Sequence, residues 1–198
     1  MEPDQFTDEL IENLAKNDKL CPQFHLSLQS GSDTVLARMN RHYNTAFYFD
    51  LITNLRKVFP ECAITTDVMC GFPGETEEEF GESLAFMEKC GFADMHIFPY
   101  SRRPGTPADK MPGQHNNATK EERSRAAIAV AEEMRHAYEA SMVATTHQVL
   151  FEETAGEFAV GHTPNYLKVY VTSGVLHNQI LPVKLTKPFR DGMLGELL

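Results

Sequence analysis

Three stretches of this chain combine turn residues with polar side chains in a way that suits ligand binding. Gly71-Phe72-Pro73-Gly74 is a glycine–proline turn, and such turns let backbone amides approach a ligand closely. Gln29-Ser30-Gly31-Ser32-Asp33 is a polar loop built around a glycine. Pro99-Tyr100-Ser101-Arg102-Arg103-Pro104-Gly105-Thr106-Pro107 has two prolines after its arginine pair and cannot be helical. Each feature has a plainer reading beside it. The Gly-Phe-Pro-Gly turn alone reads more readily as a tight connection with no ligand. Arg102 and Arg103 either meet substrate phosphate or form surface ion pairs. Asp67, inside a strand, is either a ligand contact or a buried carboxylate paired to a neighbour. Cys21, Cys62, Cys70 and Cys90 match no metal-binding spacing and are expected as reduced, mostly buried thiols. No Ser-His-Asp or Walker-type signature is present.

The elements that must position these loops follow from periodicity. Ala63 to Met69 is rich in β-branched and apolar residues and reads as a strand. It runs into Gly71–Gly74. A helix follows at once, with Thr76 and Glu79 as a capping box, Phe80, Leu84 and Met87 at helical spacing and Gly91 as its stop. Phe24–Leu28 is a strand leading into Gln29–Asp33, and Asp94–Phe98 is a third leading into the arginine loop. Residues 5–16 form a helix capped by Thr7, with Phe6 and Ile11 as a hydrophobic staple. A short helix spans 33–39, and Thr45 caps a longer one that Pro60 ends. Thr119 and Glu122 suggest another capping box, opening a helix that runs to about Ser141. Strand–helix alternation up to 141 implies a parallel sheet with right-handed crossovers, which brings all three loops to one end.

The pattern changes near Met142. Short strands are expected near 146–153, 157–162, 166–171, 178–185 and 192–197, with no helical period between them. Five short antiparallel strands suggest a small Greek-key barrel, of which the oligonucleotide-binding type is one. Residues 1–141 and 142–198 are therefore expected to be separate units. The 198 residues carry a net charge of −10, which argues against broad nonspecific nucleic-acid binding but leaves room for a local basic patch. No apolar run approaches membrane-spanning length and no signal peptide is visible, so a cytoplasmic protein without a membrane partner is expected.

HLSLQSGSD, RMNRHY, TTDVMCGFPGETEEEF and FPYSRRPGTPA, taken in order, resemble the radical S-adenosylmethionine methylthiotransferases. HTPNYLKVYV is similar to the TRAM domain that ends those enzymes and binds tRNA. RMNRHY, TTDV and FPYSRRPGT are most similar to the branch acting on threonylcarbamoyladenosine beside the tRNA anticodon. Sibling branches act on isopentenyladenosine in tRNA or on an aspartate of a ribosomal protein. The resemblance implies a fold: the C-terminal βα units of a radical SAM domain, an α/β partial TIM-like barrel, followed by a small all-β TRAM barrel of OB-like form. It also implies S-adenosylmethionine and [4Fe–4S] clusters in the full-length enzyme, where reductive cleavage yields the radical that activates adenine C2. The cysteines that bind those clusters have no counterpart here. The chain is thus expected to be a C-terminal fragment, inactive without its N-terminal half. Its open barrel edge near Phe24–Leu28 is expected to self-associate or to be covered by a helix. A non-catalytic tRNA-binding module is the second reading.

By the same resemblance, Gln29 and Ser30 lie near the nucleoside part of S-adenosylmethionine. The Gly71, Phe72, Pro73 and Gly74 backbone, Phe98 and Tyr100 lie near its adenine; Asp67 joins the expected cofactor contacts through its place on the strand that enters this turn. Arg102 and Arg103 are expected to meet substrate because their loop clusters with the other two at one end of the sheet. Tyr166, Lys168, Lys184, Lys187 and Arg190 touch RNA by stacking and phosphate contact.

Overall fold

A computed structural model describes all residues, Met1–Leu198. Three parallel strands, β1 (Gln23–His25), β2 (Ala63–Cys70) and β3 (Asp94–Pro99), form one sheet in the order β1-β2-β3. The connections are helical: α2 (Asp33–Arg38) and α3 (Thr45–Val58) between β1 and β2, then α4 (Glu77–Cys90) between β2 and β3. α1 (Asp8–Ala15) precedes the sheet and α5 (Asn117–Ser141) follows it. Burial alternates along β2. Ile64, Val68 and Cys70 join Leu51, Ile52, Leu55, Met87, Ala127, Ala131 and Met134 in the main core. The opposite face, with Thr65, Asp67 and Met69, is only half-buried.

The helix ends follow capping chemistry. Thr7 caps α1 by accepting from the Leu10 amide, and Phe6 and Ile11 are both buried. The box at α4 is complete: Thr76 accepts from the Glu79 amide, and the Glu79 carboxylate accepts from the Thr76 amide. Two caps sit elsewhere than expected. Asn44, not Thr45, caps α3, and Asn116, not Thr119, caps α5. An asparagine three residues before a free amide competes on equal terms with threonine, so the backbone path decides. β1 is also shorter than expected: it ends at His25, and beyond it the chain meets β2 through the Leu26 amide on Thr65 O and one bridge from Gln29, at φ +68°, to Val68. At the β1 edge the Met1 amine donates to His25 O at 2.8 Å, and the Ser27 amide donates to Met1 O at 3.2 Å. A stretch of backbone, not a helix, lies along that edge.

After α5 the chain forms a closed five-stranded barrel: β4 (Thr146–Ala155), β5 (Phe158–His162), β6 (Lys168–Thr172), β7 (Gln179–Phe189) and β8 (Gly192–Leu197), in the order β4-β5-β6-β8-β7. No barrel strand pairs with the parallel sheet. The expected all-antiparallel pairing holds for four contacts; β6 and β8 run parallel. β7 lies beside β4 and its antiparallel partner β8 must close against β6, which fixes that direction. Val149, Phe151, Val169, Val183, Leu185 and Met193 fill the interior.

Candidate functional site

Parallel topology puts the loops after β1, β2 and β3 at the same carboxyl end of the sheet. Gly71 and Gly74 both have φ +75°, a conformation that glycine adopts without steric cost. The Glu75 carboxylate folds back to accept from the Gly71 amide at 2.8 Å, and the Gly74 amide donates to Gly113 O at 2.9 Å. Glu75 is held in turn by Arg123 of α5, whose Nη1 reaches Glu75 Oε2 at 2.8 Å and Glu75 O at 2.9 Å. This pair is buried, with side-chain exposures of 7% and 1%. Burial pushes the Glu75 carboxyl up, while the Gly71 N–H and the Arg123 charge pull it down. Lys120, one turn earlier on α5, donates to Tyr100 O at 3.1 Å. One helix thus fixes both the Gly71–Glu75 turn and the start of the arginine loop.

The first loop is locked to α4. The hydroxyls of Ser30 and Ser83 lie 2.9 Å apart, the Gly31 amide donates to Ser83 Oγ at 3.0 Å, and Ser32 Oγ donates to Glu82 at 2.7 Å. Arg38 forms a fork with Glu79 at 2.8 and 2.6 Å. The Arg38 guanidinium holds the Glu79 carboxyl down at about 2.

The residues expected near S-adenosylmethionine divide into two sets. Ser30, Phe72 and Tyr100 turn inward. Ser30 is spent on Ser83, and the Phe72 and Tyr100 rings pack edge-on at 5.4 Å in a small cluster with Val35, Met39, Met69 and Met111. They can offer a ligand their backbone, and the buried Tyr100 hydroxyl has no partner. Gln29 is buried, and its backbone bridges β2. Phe98 lies in register with Met69 on the open face, and Asp67 and His96 are paired in register below it. Asp67 is not the buried carboxylate weighed from sequence: its side chain is 29% exposed and accepts from His25 Nε2 at 3.2 Å. Pro73 is buried within the turn.

The expected RNA-facing cations divide in the same way. Arg102 is spent on Asp109 at 2.9 Å, whereas Arg103 is exposed and makes no ion pair. Lys168 pairs with Asp191 at 3.0 Å, and Tyr170 also donates to that carboxylate. These two donors, Tyr170 first, hold Asp191 at about 2. The Arg190 guanidinium lies over the rings of Phe158, Tyr170 and Phe189, 5.0 to 5.5 Å from their centroids. Lys184 and Lys187 are exposed on β7, and Tyr166 is 70% exposed.

Sequence reasoning missed Glu75, Arg123 and Lys120. One signal was available: Arg123 precedes Ala127, Ala131 and Met134 at helical spacing, so it falls on the apolar face of α5. A charge in that register calls for a buried partner.

Cys62, Cys70 and Cys90 are buried and Cys21 is exposed. Burial raises the three buried thiols to about 11, 12 and 12 respectively. No group of three or more His, Cys, Asp or Glu side chains converges as a metal site. No helix is long and apolar enough to cross a membrane.

Residues 1–87 match the model of the radical SAM superfamily. The chain is 42% identical over 202 residues to the threonylcarbamoyladenosine tRNA methylthiotransferase MtaB of Bacillus subtilis, covering 97% of this chain and 45% of the relative. It is 42% identical over 154 residues to the tRNA-2-methylthio-N(6)-dimethylallyladenosine synthase of Corynebacterium urealyticum, covering 78% and 28%. Among solved structures, the radical SAM enzyme coproporphyrinogen III oxidase (HemN) of Escherichia coli shares the fold, with a TM-score of 0.57 at 14% identity over 95% of this chain and 45% of that one. The chain thus spans just under half the length of the first of these relatives. The family match over residues 1–87 and the methylthiotransferase relatives together support the radical SAM methylthiotransferase family for this chain, and the solved structure supports the fold.

Proposed function

We propose that this chain supplies the C-terminal βα units of a partial TIM-like barrel, together with a TRAM-type RNA-binding barrel, of a tRNA methylthiotransferase. The proposed reaction adds a methylthio group to C2 of N6-threonylcarbamoyladenosine near the anticodon. One observation carries this reading: a relative named for that activity aligns at 42% identity along 97% of the chain, through all three loops and the barrel. The barrel order, with its fourth strand closing on its first, also suits the oligonucleotide-binding type.

The residues present fit S-adenosylmethionine. The unpartnered Tyr100 hydroxyl, the half-buried Phe98 and the clamped Gly71–Gly74 turn lie at the loop end of the sheet. The amides of Gln29, Ser30, Gly71 and Gly74 are already bonded within the chain, so there these loops would offer the nucleoside carbonyl oxygens, while Asp67 bounds the open face. S-adenosylmethionine, when bound, supplies the methyl group and the radical chemistry. The chain's own part is to bind, orient and exclude water. A [4Fe–4S] cluster does not fit: Cys62 and Cys70 stand eight residues apart on extended backbone, about 26 Å, and the buried thiols are held protonated. No step of the reaction is therefore assigned to a cluster in this chain, and catalysis requires the N-terminal half that such a site needs. Arg103 at the loops and Lys184, Lys187 and Tyr166 on the barrel are exposed and would meet tRNA in this reading. Lys168, Arg190 and Arg102 would first have to leave their present partners.

A non-catalytic tRNA-binding module is the second reading, supported by the exposed Lys184, Lys187 and Tyr166 on the barrel. The experiment is co-expression of this chain with the N-terminal half of the Bacillus subtilis relative in a host lacking the modification, followed by mass spectrometry of tRNA nucleosides. Methylthiolated threonylcarbamoyladenosine is the expected product. Methylthiolated isopentenyladenosine would move the assignment to the sibling branch. No product, with tRNA still bound, would leave the binding module.

A further inference from the structure

A cleft of about 240 Å³ opens where the barrel meets the half-buried face of the sheet. Ala63, Thr65 and Asp94 form its floor, Arg135 comes from α5, and Tyr166 and Lys168 come from the barrel. It lies at the amino end of the strands, away from the three loops. Ala63 and Cys70 are seven steps apart on β2, roughly 23 Å at about 3.3 Å per step.

Tyr166 sits at this cleft in an unusual state. Its φ is +65°, in the left-handed region where a ring-bearing residue is strained and glycine or asparagine is favoured. Its ring stacks on His162 with centroids 4.8 Å apart and planes 13° from parallel. At 70% exposure, the other side of the ring is left to solvent. Packing therefore gives little return for the strain. The loop beneath is rigid. The Leu167 amide donates to Thr163 Oγ1 at 2.9 Å, and Asn165 Nδ2 donates to Glu61 O and to Tyr138 Oη, both at 2.9 Å. Because Glu61 and Tyr138 belong to the α/β unit, the ring is fixed relative to the sheet as well as to the barrel.

The lining suits a flat neutral group better than a phosphate. Lys168 pairs with Asp191 and Arg135 with Glu139, so neither cation is unopposed, and Asp94 adds a further carboxylate. Gln23 Nε2 donates to Thr65 Oγ1 at 3.0 Å, which leaves the Gln23 amide oxygen and its second N–H as neutral groups in the lining.

We infer that this cleft is a nucleobase site: one base of a bound RNA stacks on the open face of Tyr166 and turns its polar edge into the cleft. The inference rests on the RNA-binding part of the proposed function and deepens it. At roughly 23 Å from the loops, the base held here is a different nucleotide from the one modified. It fixes the register of the RNA.

The test is titration of a fluorescently labelled anticodon stem–loop RNA with the full chain, comparing Tyr166→Gly, Tyr166→Phe and His162→Ala. Glycine relieves the left-handed strain, so Tyr166→Gly should keep or raise the melting temperature while weakening RNA binding roughly five- to a hundredfold, the span of one lost base stack. The salt slope should not change, because no charge is removed. Tyr166→Phe should bind like wild type, and His162→Ala should weaken binding less than Tyr166→Gly. Scanning the loop with 2-aminopurine should reveal one position quenched by wild type and not by Tyr166→Gly. Unchanged affinity in Tyr166→Gly, with wild type binding normally, overturns this inference alone. A wild-type chain that leaves the RNA unbound overturns it together with the RNA-binding part of the proposed function.

Discussion

The loop end of the sheet and the outer surface of the barrel use the same kinds of side chain for different ends. At the loops, Arg38, Arg123 and Ser30 are turned onto Glu79, Glu75 and Ser83, so polar groups are spent on holding backbone in place. On the barrel, Lys184, Lys187 and Tyr166 stay exposed, while Lys168 and Arg190 are held by Asp191 and an aromatic cluster. The difference shows that a polar residue near a ligand site is not thereby a ligand residue. A buried, paired charge shapes the site; an exposed, unpaired one is available to a partner. The barrel contains both kinds within a few residues of one another.

The sharpest break of this contrast is Arg123→Ala. It strands the Glu75 carboxylate in a buried site and should cost about 3–5 kcal/mol in urea unfolding, with the Gly71–Glu75 turn loosened. Replacing both residues with apolar ones of similar size should restore most of the loss. A cost below about 1 kcal/mol for Arg123→Ala would show that the pair is not what holds the turn.

Gly31→Ala tests the docking of the first loop on α4. A methyl there would lie 2.8 Å from Phe86 Cβ and from Ser83 Cα, too close for either to remain. Thermal unfolding should report a loss of about 1–3 kcal/mol. A variant as stable as wild type would mean that the loop shifts without cost.

On the barrel side, Lys184→Ala with Lys187→Ala should leave stability unchanged and lower the log–log salt slope of tRNA binding by about 1.4, for two phosphate contacts on single-stranded RNA. Adding Lys168→Ala and Arg190→Ala should instead destabilise the barrel, because both have intramolecular partners. A quadruple variant that changes only the salt slope would erase the proposed distinction.

The smallest effect concerns Glu79. Its carboxyl lies at about 2 against an ordinary 4.5, chiefly through Arg38. A lowered carboxyl stabilises the fold fully above about pH 4.5, and that contribution disappears as pH falls from there towards 2. The stability gap between wild type and Glu79→Gln should therefore shrink over this range. Parallel curves would remove the Arg38–Glu79 fork from the account.

What the sequence settled by itself is what a short window of residues can settle. The strand over Ala63–Cys70, the capping box at Thr76 and Glu79, the left-handed stop at Gly91 and the five barrel strands are each encoded by neighbours a few positions apart. The order of the four family motifs was legible for the same reason. Tertiary structure decided which polar groups are consumed. Glu75 and Arg123 lie 48 positions apart, Ser30 and Ser83 lie 53 apart, and Asn165 and Glu61 lie 104 apart. No local pattern fixes such pairs, because each depends on how helices and barrel pack once the backbone has closed. The same closure made β6 and β8 parallel, turned Phe72 and Tyr100 inward, and set Tyr166 in a left-handed conformation over the cleft. Local propensity places elements, but burial and partner choice are properties of the packed chain.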